Sequence, residues 1–239
     1  MEIVKASGKR ERFSERKLRY SLERVGVGPS DADPIVDEVK RKVRSGTRTK
    51  EILEIVLGLL RHKDPATAAK YNLKSAMMNL GPSGYPFEEY FAGVLREHGY
   101  ETRVGEMVKG FCADQEIDII AVKGDRHLMI ECKYHNSSGA RSDLKVALYT
   151  YARFLDVKEV WEKRHKDVEK FHQAVLVTNT KCTSEAIKFA KCRGIKVIAW
   201  HYPAGQNLQN LIERKNLYPI TVLLSLGNTA RRKLLKRGM

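Results

Sequence analysis

Residues 116–135, EIDIIAVKGDRHLMIECKYH, read as two strands around a tight turn. Ile117 and Ile119 to Val122 make the first apolar run, Leu128 to Ile130 make the second, and Gly124-Asp125 suits the turn between them. Both runs are apolar enough to be buried in a sheet. Yet the first carries Asp118, the second ends in Glu131, and Lys133 follows. Charge in a buried strand is costly unless it is paired or bound to a metal.

Side chains alternate along a strand, so Glu131 and Lys133 share one face while Cys132 points to the other. Asp118, on the adjacent strand, reaches the same patch. Two carboxylates and an ammonium converging at a sheet edge suit a hard divalent cation, because Mg²⁺ takes oxygen ligands and keeps several waters. The lysine cannot ligate, but it can hold an attacking water and offset charge on a phosphate. That is the equipment for metal-assisted phosphodiester hydrolysis. The competing use of the same residues is a cross-strand ion pair, worth about 0.5 kcal/mol or less and chemically silent. Acids interrupting apolar strands, Glu88 on the preceding helix, and basic flanks favour the site.

Outward from this stretch, PSGYP at 82–86 is the clearest break in the chain. After it, FEEYFAGVLREHG predicts an amphipathic helix closed by Gly99, and YETRV a strand. Helices are expected near 142–156 and 158–172. QAVLVTN and IKVIAW suit buried strands, with TSEAIKFAKCRG a capped helix between them. Mixed strands and helices in this order predict an α/β sheet with helices on its faces.

Before the break, Ile3-Val4 and Phe13 flank the loop KASGKRER, and helices follow. Ser14 is expected to cap the first, Ser30 with Asp33 to form a capping box on the second, and Thr49 to cap the third. Asp64-Pro65 opens a last helix running to about Asn79. The expected domains are 1–83, 84–214 and a basic helical extension, 215–239. In that extension Leu223, Leu224, Leu234 and Leu235 recur at helical spacing.

The chain has 239 residues and a net charge of +15. The excess is uneven: +7 in residues 1–83, +2 in 84–214 and +6 in 215–239. Basic flanks around a nearly neutral middle point to nucleic acid, because Lys and Arg on a polyanion release counterions. No run reaches the ~18 apolar residues of a membrane helix, and the start lacks a signal core, so a cytoplasmic protein is expected. Cys112, Cys132, Cys182 and Cys192 show no CxxC spacing and are expected to be reduced. Gln115, Glu116 and Glu89 read as solvated neighbours, and the histidines as surface residues. His135 is the exception, placed to touch a phosphate if the strand continues.

Glu88 in GYPFEEYF, Asp118 in QEIDII and Glu131-Cys132-Lys133 in IECKYH resemble the active-site set of the PD-(D/E)xK nucleases. The later AVLVTNTKCTSEAIKFAKCRGIKVIAWH resembles the second half of the Mrr-like restriction endonuclease branch, and the likeness covers roughly 84–214. The resemblance implies Asp118 and Glu131 as ligands for Mg²⁺ or Mn²⁺, Lys133 positioning the nucleophilic water, and Glu88 supporting a water on the ion. Many members of that branch have Gln where this chain has Glu131. DNA is the expected partner, and a homodimer is compatible with the sequence.

The stretches IVKASGKRERFSERKL, GTRTKEI and DPATAAKY resemble the ATP-cone, a small nucleotide-binding regulatory domain, over about residues 2–80. By motif position Ile3, Lys5, Glu11, Lys17 and Thr49 would face ATP or dATP. The family's Lys-Arg-acidic-Gly turn reads Lys5-Ala6-Ser7-Gly8 here. A nucleotide site and a basic DNA-docking arm therefore stand as two uses of this module. The expected activity is DNA cleavage, with a non-cleaving nucleotide-responsive regulator and a junction-specific repair nuclease as alternatives.

Overall fold

The computed structural model describes residues 1–164 and 171–235. These fall into two compact units. One holds residues 1–79, 137–139 and the described residues from 218 onward; the other holds 80–136 and 140–217.

The first unit opens with a hairpin of β1 (Glu2–Val4) and β2 (Arg10–Arg12), with Ile3 opposite Glu11. Gly8, at φ 79°, supplies the left-handed residue of its turn. Ser14 caps α1 (Glu15–Glu23), its hydroxyl accepting the Lys17 backbone N–H at 3.3 Å. α2 (Pro29–Lys42) starts directly after Gly28, so the expected Ser30–Asp33 capping box does not form. α3 (Thr49–Lys63) begins at Thr49 itself, and the Glu51 carboxylate accepts the Arg48 backbone N–H at 3.2 Å. Asp64 caps α4 (Pro65–Tyr71) as expected, but the helix stops at Asn72 and α5 (Leu73–Met77) follows. Leu22, Val36, Val39 and Val56 are wholly buried in the core that these helices enclose. Each contributes roughly 1.5–3 kcal/mol by leaving water.

The second unit starts with α6 (Tyr85–Glu97), ended by Gly99 at φ 82°. Three antiparallel strands follow: β3 (Glu101–Lys109), β4 (Asp114–Lys123) and β5 (Arg126–Lys133). The two runs of the opening stretch are β4 and β5. A short β6 (Arg141–Ser142) precedes α7 (Leu144–Arg164), a single helix where the sequence predicts two. Nothing between 144 and 164 breaks it, since the segment holds no Pro or Gly. The end of the second expected helix is instead strand: β7 (Phe171–Thr178) begins at wholly buried Phe171, whose ring lies 4.6 Å from that of Trp161. Residues 165–170 of that expected helix lie outside the described residues.

β8 (Lys181–Cys182) pairs with β6. α8 (Ser184–Cys192), capped by Thr183, leads to β9 (Lys196–Ile198), and α9 (Leu208–Arg214) closes the unit. The central sheet runs β3-β4-β5-β7-β9, with β5, β7 and β9 parallel. It is therefore a mixed sheet flanked by helices, as the sequence predicts. Ile120, Met129, Leu176 and Val197 pack with Ala147, Phe154 and Val157 of α7 and Ala186 of α8.

After Leu217 the chain rejoins the first unit. A 3₁₀ turn spans Ile220–Val222 and α10 spans Asn228–Leu235, so the expected helical periodicity holds at 234–235 but not at 223–224. The Thr221 hydroxyl donates to the Ala76 carbonyl at 3.0 Å, and Leu224 packs against the core of the helical unit.

Candidate active site

The β4–β5 ladder runs as far as Ile119 opposite Ile130 and stops there. The next level holds Asp118 and Glu131. At this point the Asp118 side chain intervenes, its Oδ2 accepting the Cys132 backbone N–H at 2.7 Å. β5 meanwhile continues against β7, with Glu131, Cys132 and Lys133 opposite Leu176, Val177 and Thr178. The two strands thus part inside the sheet, so the acids meet at a mid-sheet opening, not at the sheet edge expected from sequence. Asp118 and Glu131 extend the rows of Ile120 and Met129, the face covered by α7. Glu131 is 8% exposed, Asp118 half-buried, and Lys133 exposed.

Glu88, in the first turn of α6, joins them electrostatically. Burial pushes its carboxyl up to about 7, with the charges of Asp118, Glu116 and Glu89 adding to the rise. Burial likewise pushes Glu131 up to about 7, with Asp118 adding to the effect against Arg153 and Lys133. Asp118 is raised by burial and held back by the Cys132 N–H and Arg153. Burial opposes ionisation at all three carboxyls, and the charge of Asp118 opposes it further at Glu88 and Glu131. That is the condition under which a divalent cation gains most.

Arg153 was not legible as part of this site. From α7 its Nη1 donates to Glu131 Oε2 at 2.5 Å, while Nε donates to Gln115 Oε1 at 3.2 Å and the guanidinium lies 5.0 Å from the Tyr149 ring centre. Gln115 is therefore no solvated neighbour. Its amide also donates to Asp156 Oδ2 at 3.0 Å. Glu116 and Glu89 are exposed, as expected. The second oxygens of the two ligand candidates, Asp118 Oδ1 and Glu131 Oε1, are the ones a cation would take. Such a donor set fits Mg²⁺ or Mn²⁺, which binds through one or two carboxylates and retains waters. Among the described residues, no three His, Cys, Asp or Glu side chains form a preformed metal cage.

β5 ends at Lys133, so His135 does not extend its row. Asn179, wholly buried, accepts the His135 N–H at 2.9 Å and donates to its carbonyl at 2.7 Å. The His135 ring meets the Ser142 hydroxyl at 3.2 Å, and burial lowers its pKa, Lys133 adding to the shift. His127 is buried rather than at the surface, its ring stacked 6.2 Å from that of His172. All four cysteines are unpaired.

In the helical unit, Lys5 and Lys17 both reach Glu11 Oε2, at 2.6 and 3.4 Å, and the Lys5 hydrogen bond chiefly lowers the Glu11 pKa. Val4 bridges to Arg48, which brings the hairpin beside Thr49 and the start of α3. Ile3 is 6% exposed and packs in the helical core. A cavity of about 380 Å³ lies elsewhere in this unit, against Leu53, Leu57, Gly58, Ser75, Thr221 and Leu224, and none of the five expected nucleotide residues lines it.

Comparisons with known proteins divide the chain at a similar place. Residues 1–75 match the ATP cone domain, and residues 81–212 match the family described as Restriction endonuclease. An uncharacterized protein of Archaeoglobus fulgidus is 46% identical over 132 residues, 55% of this chain and 70% of the relative. The crystal structure of the protein of unknown function AF1548 is 42% identical, with a TM-score of 0.55 over 65% of this chain and 79% of that one. MspJI restriction endonuclease, solved in complex with a 27-mer oligonucleotide, is 15% identical with a TM-score of 0.36, over 76% of this chain and 36% of its own. With its sheet, its parted strands and a family match over more than half its length, the chain belongs to the restriction endonuclease family.

Proposed function

We propose that the protein is a metal-dependent endonuclease that hydrolyses DNA phosphodiester bonds. The observation that carries this reading is the opening of β4 from β5 at Asp118 and Glu131, with Lys133 beyond it on the same strand. Asp118, steadied by the Cys132 N–H, and Glu131, steadied by Arg153, would hold Mg²⁺ or Mn²⁺. The ion would supply positive charge to the phosphate and make a nearby water more acidic. Lys133, exposed one row beyond Glu131, positions that water and offsets charge at the phosphate. Glu88, in the first turn of α6 and coupled to Asp118 by charge, would support a water on the ion.

The test is incubation of plasmid, modified and branched DNA with Mg²⁺, with and without EDTA. Cleavage should vanish in EDTA and in Asp118→Asn or Lys133→Ala, while Asp118→Asn still binds DNA in Ca²⁺. Cleavage that survives EDTA would overturn the reading, and binding without any cleavage would favour the non-cleaving regulator.

A second reading concerns the helical unit. We infer that it binds ATP or dATP beside the hairpin, because Lys5 and Lys17 converge there next to the start of a helix, a common anion-binding arrangement.

A further inference from the structure

The tip of the β3–β4 hairpin is built rather than left loose. The Phe111 N–H donates to the Asp156 carbonyl at 3.0 Å, and the Cys112 N–H donates to Asp156 Oδ1 at 2.6 Å. Gly110 closes the tip with a 3.0 Å bond to the Ala113 carbonyl. A Cβ at Gly110 would overlap both the Asp156 carboxylate and that carbonyl, so only glycine fits. Asp156 in turn binds Gln115, Gln115 binds Arg153, and Arg153 binds Glu131. A continuous chain of bonded side chains thus runs from the tip to a candidate metal ligand.

On this tip Phe111 stands 63% exposed and Met107 66%, with exposed Lys109 between them. Direction matters as much as exposure. β4 runs antiparallel to β5, so its first residue, Asp114, lies beyond Lys133, at the end where β5 leaves the sheet. The tip overhangs the same end as the carboxylates and the lysine. From Asp118 to Ala113 the chain covers about 17 Å at strand rise, or about five base steps of B-form DNA.

We propose that this tip docks DNA, with Phe111 stacking on a base a few nucleotides from the scissile phosphate and Lys109 taking a neighbouring phosphate. The inference rests on the nuclease reading and adds to it a contact outside the reacting groups. An aromatic ring accepts the face of any base, so the contact positions the strand without reading its sequence. A tip already clamped at Asp156 pays little ordering cost on binding, which favours this use over that of a floppy loop.

The test uses the full-length protein in Ca²⁺ with duplex, single-stranded and branched DNA. The probe base 2-aminopurine is placed at successive positions along the strand. Phe111→Ala should weaken binding about 5- to 150-fold, leave the melting temperature unchanged, and remove the 2-aminopurine signal at a few adjacent positions. Phe111→Trp should restore both. Equal affinity for wild type and Phe111→Ala would overturn the inference while leaving the nuclease reading intact. Lost affinity with an unchanged 2-aminopurine signal would also overturn it, by showing that the ring does not touch bases. A change in self-association with unaltered DNA binding would reassign the tip to a second copy of the chain. Failure of wild type to bind any DNA would overturn the nuclease reading itself.

Discussion

Arg153 and Glu131 face each other across 2.5 Å with side chains only 9% and 11% exposed. The pair is buried, though less completely than the apolar core beside it. Removing one partner from such a pair leaves an uncompensated buried charge. Arg153→Met should therefore lower stability by roughly 3–5 kcal/mol, measured by urea unfolding. Adding Glu131→Gln to Arg153→Met should recover a large part of the loss. Arg153→Met should also weaken Ca²⁺ binding by calorimetry, because it frees the carboxylate to turn from its ligand position.

Glu88 and Glu131, each pushed up to about 7, set a pH dependence in the metal-free protein. Their folded-state pKa values exceed the unfolded ones, so folding retains protons that the unfolded chain has released. The stability they contribute is present below about 4.5 and is lost as pH rises through about 7. Melting in EDTA should therefore fall across that window, Glu131→Gln should flatten the fall, and Mg²⁺ should raise the curve most at its upper end. A metal-free melting temperature that climbs from pH 5 to pH 7.5 in wild type but not in Glu131→Gln would contradict the assignment.

Asn179 ties the end of β5 to β7 through both amide atoms. Asn179→Ala leaves the His135 N–H and carbonyl without those bonds, at a cost of about 1–3 kcal/mol. Because Lys133 lies two residues earlier, kcat should fall more than substrate affinity. Equal losses in the two would mean that the tie has no bearing on the lysine.

Titration calorimetry with ATP and dATP tests the nucleotide reading. Lys5→Ala with Lys17→Ala should remove the heat, and Glu11→Gln should alter the affinity, since Glu11 engages both ammonium groups. Absence of heat with wild type at millimolar nucleotide would leave the module as a DNA-docking arm.

Truncation after Gly227 removes Arg231, Arg232, Lys233, Lys236 and Arg237 but spares Thr221 and Leu224. If this basic segment touches DNA, the slope of log affinity against log salt should flatten by up to about 0.9 for each phosphate that the shortened protein no longer neutralises. An unchanged slope would remove the segment from the interface.

The strands bearing Asp118 and Glu131 were legible because acids inside apolar runs are rare and a Gly-Asp turn fixes their pairing. Ser14, Asp64 and Thr183 announced their helices because cap chemistry is local. The Ser30–Asp33 box had the right spacing, but Pro29, favoured at a first helical position, moved the start upstream. Arg153 could not be found in the same way. It is one of five cations in the α7 sequence, with Lys145, Lys158, Lys163 and Arg164, and nothing local sets it apart from them until the sheet brings Glu131 against it. Gln115 depended on the same long-range event. The division of 142–172 into two helices failed because nothing local fixes the end of a helix that lacks Pro or Gly; burial of Phe171 in the sheet decides it.

Residues 220–224 pack within the helical unit, so the sheet-bearing unit is an insertion in another unit's chain. A single backbone scission at either end of the insertion would divide the chain in two, and the pieces of the helical unit would then hold together only through contacts such as Thr221 with Ala76 and Leu224 with its core. Residues 1–79 expressed alone would leave the Ala76 carbonyl without the Thr221 hydroxyl and part of their core without Leu224. A faithful isolated version of that unit would splice residues 218–227 onto residue 79 through a flexible linker. It should melt above the simple N-terminal fragment, which would mark the chain's return as part of that unit's own folding.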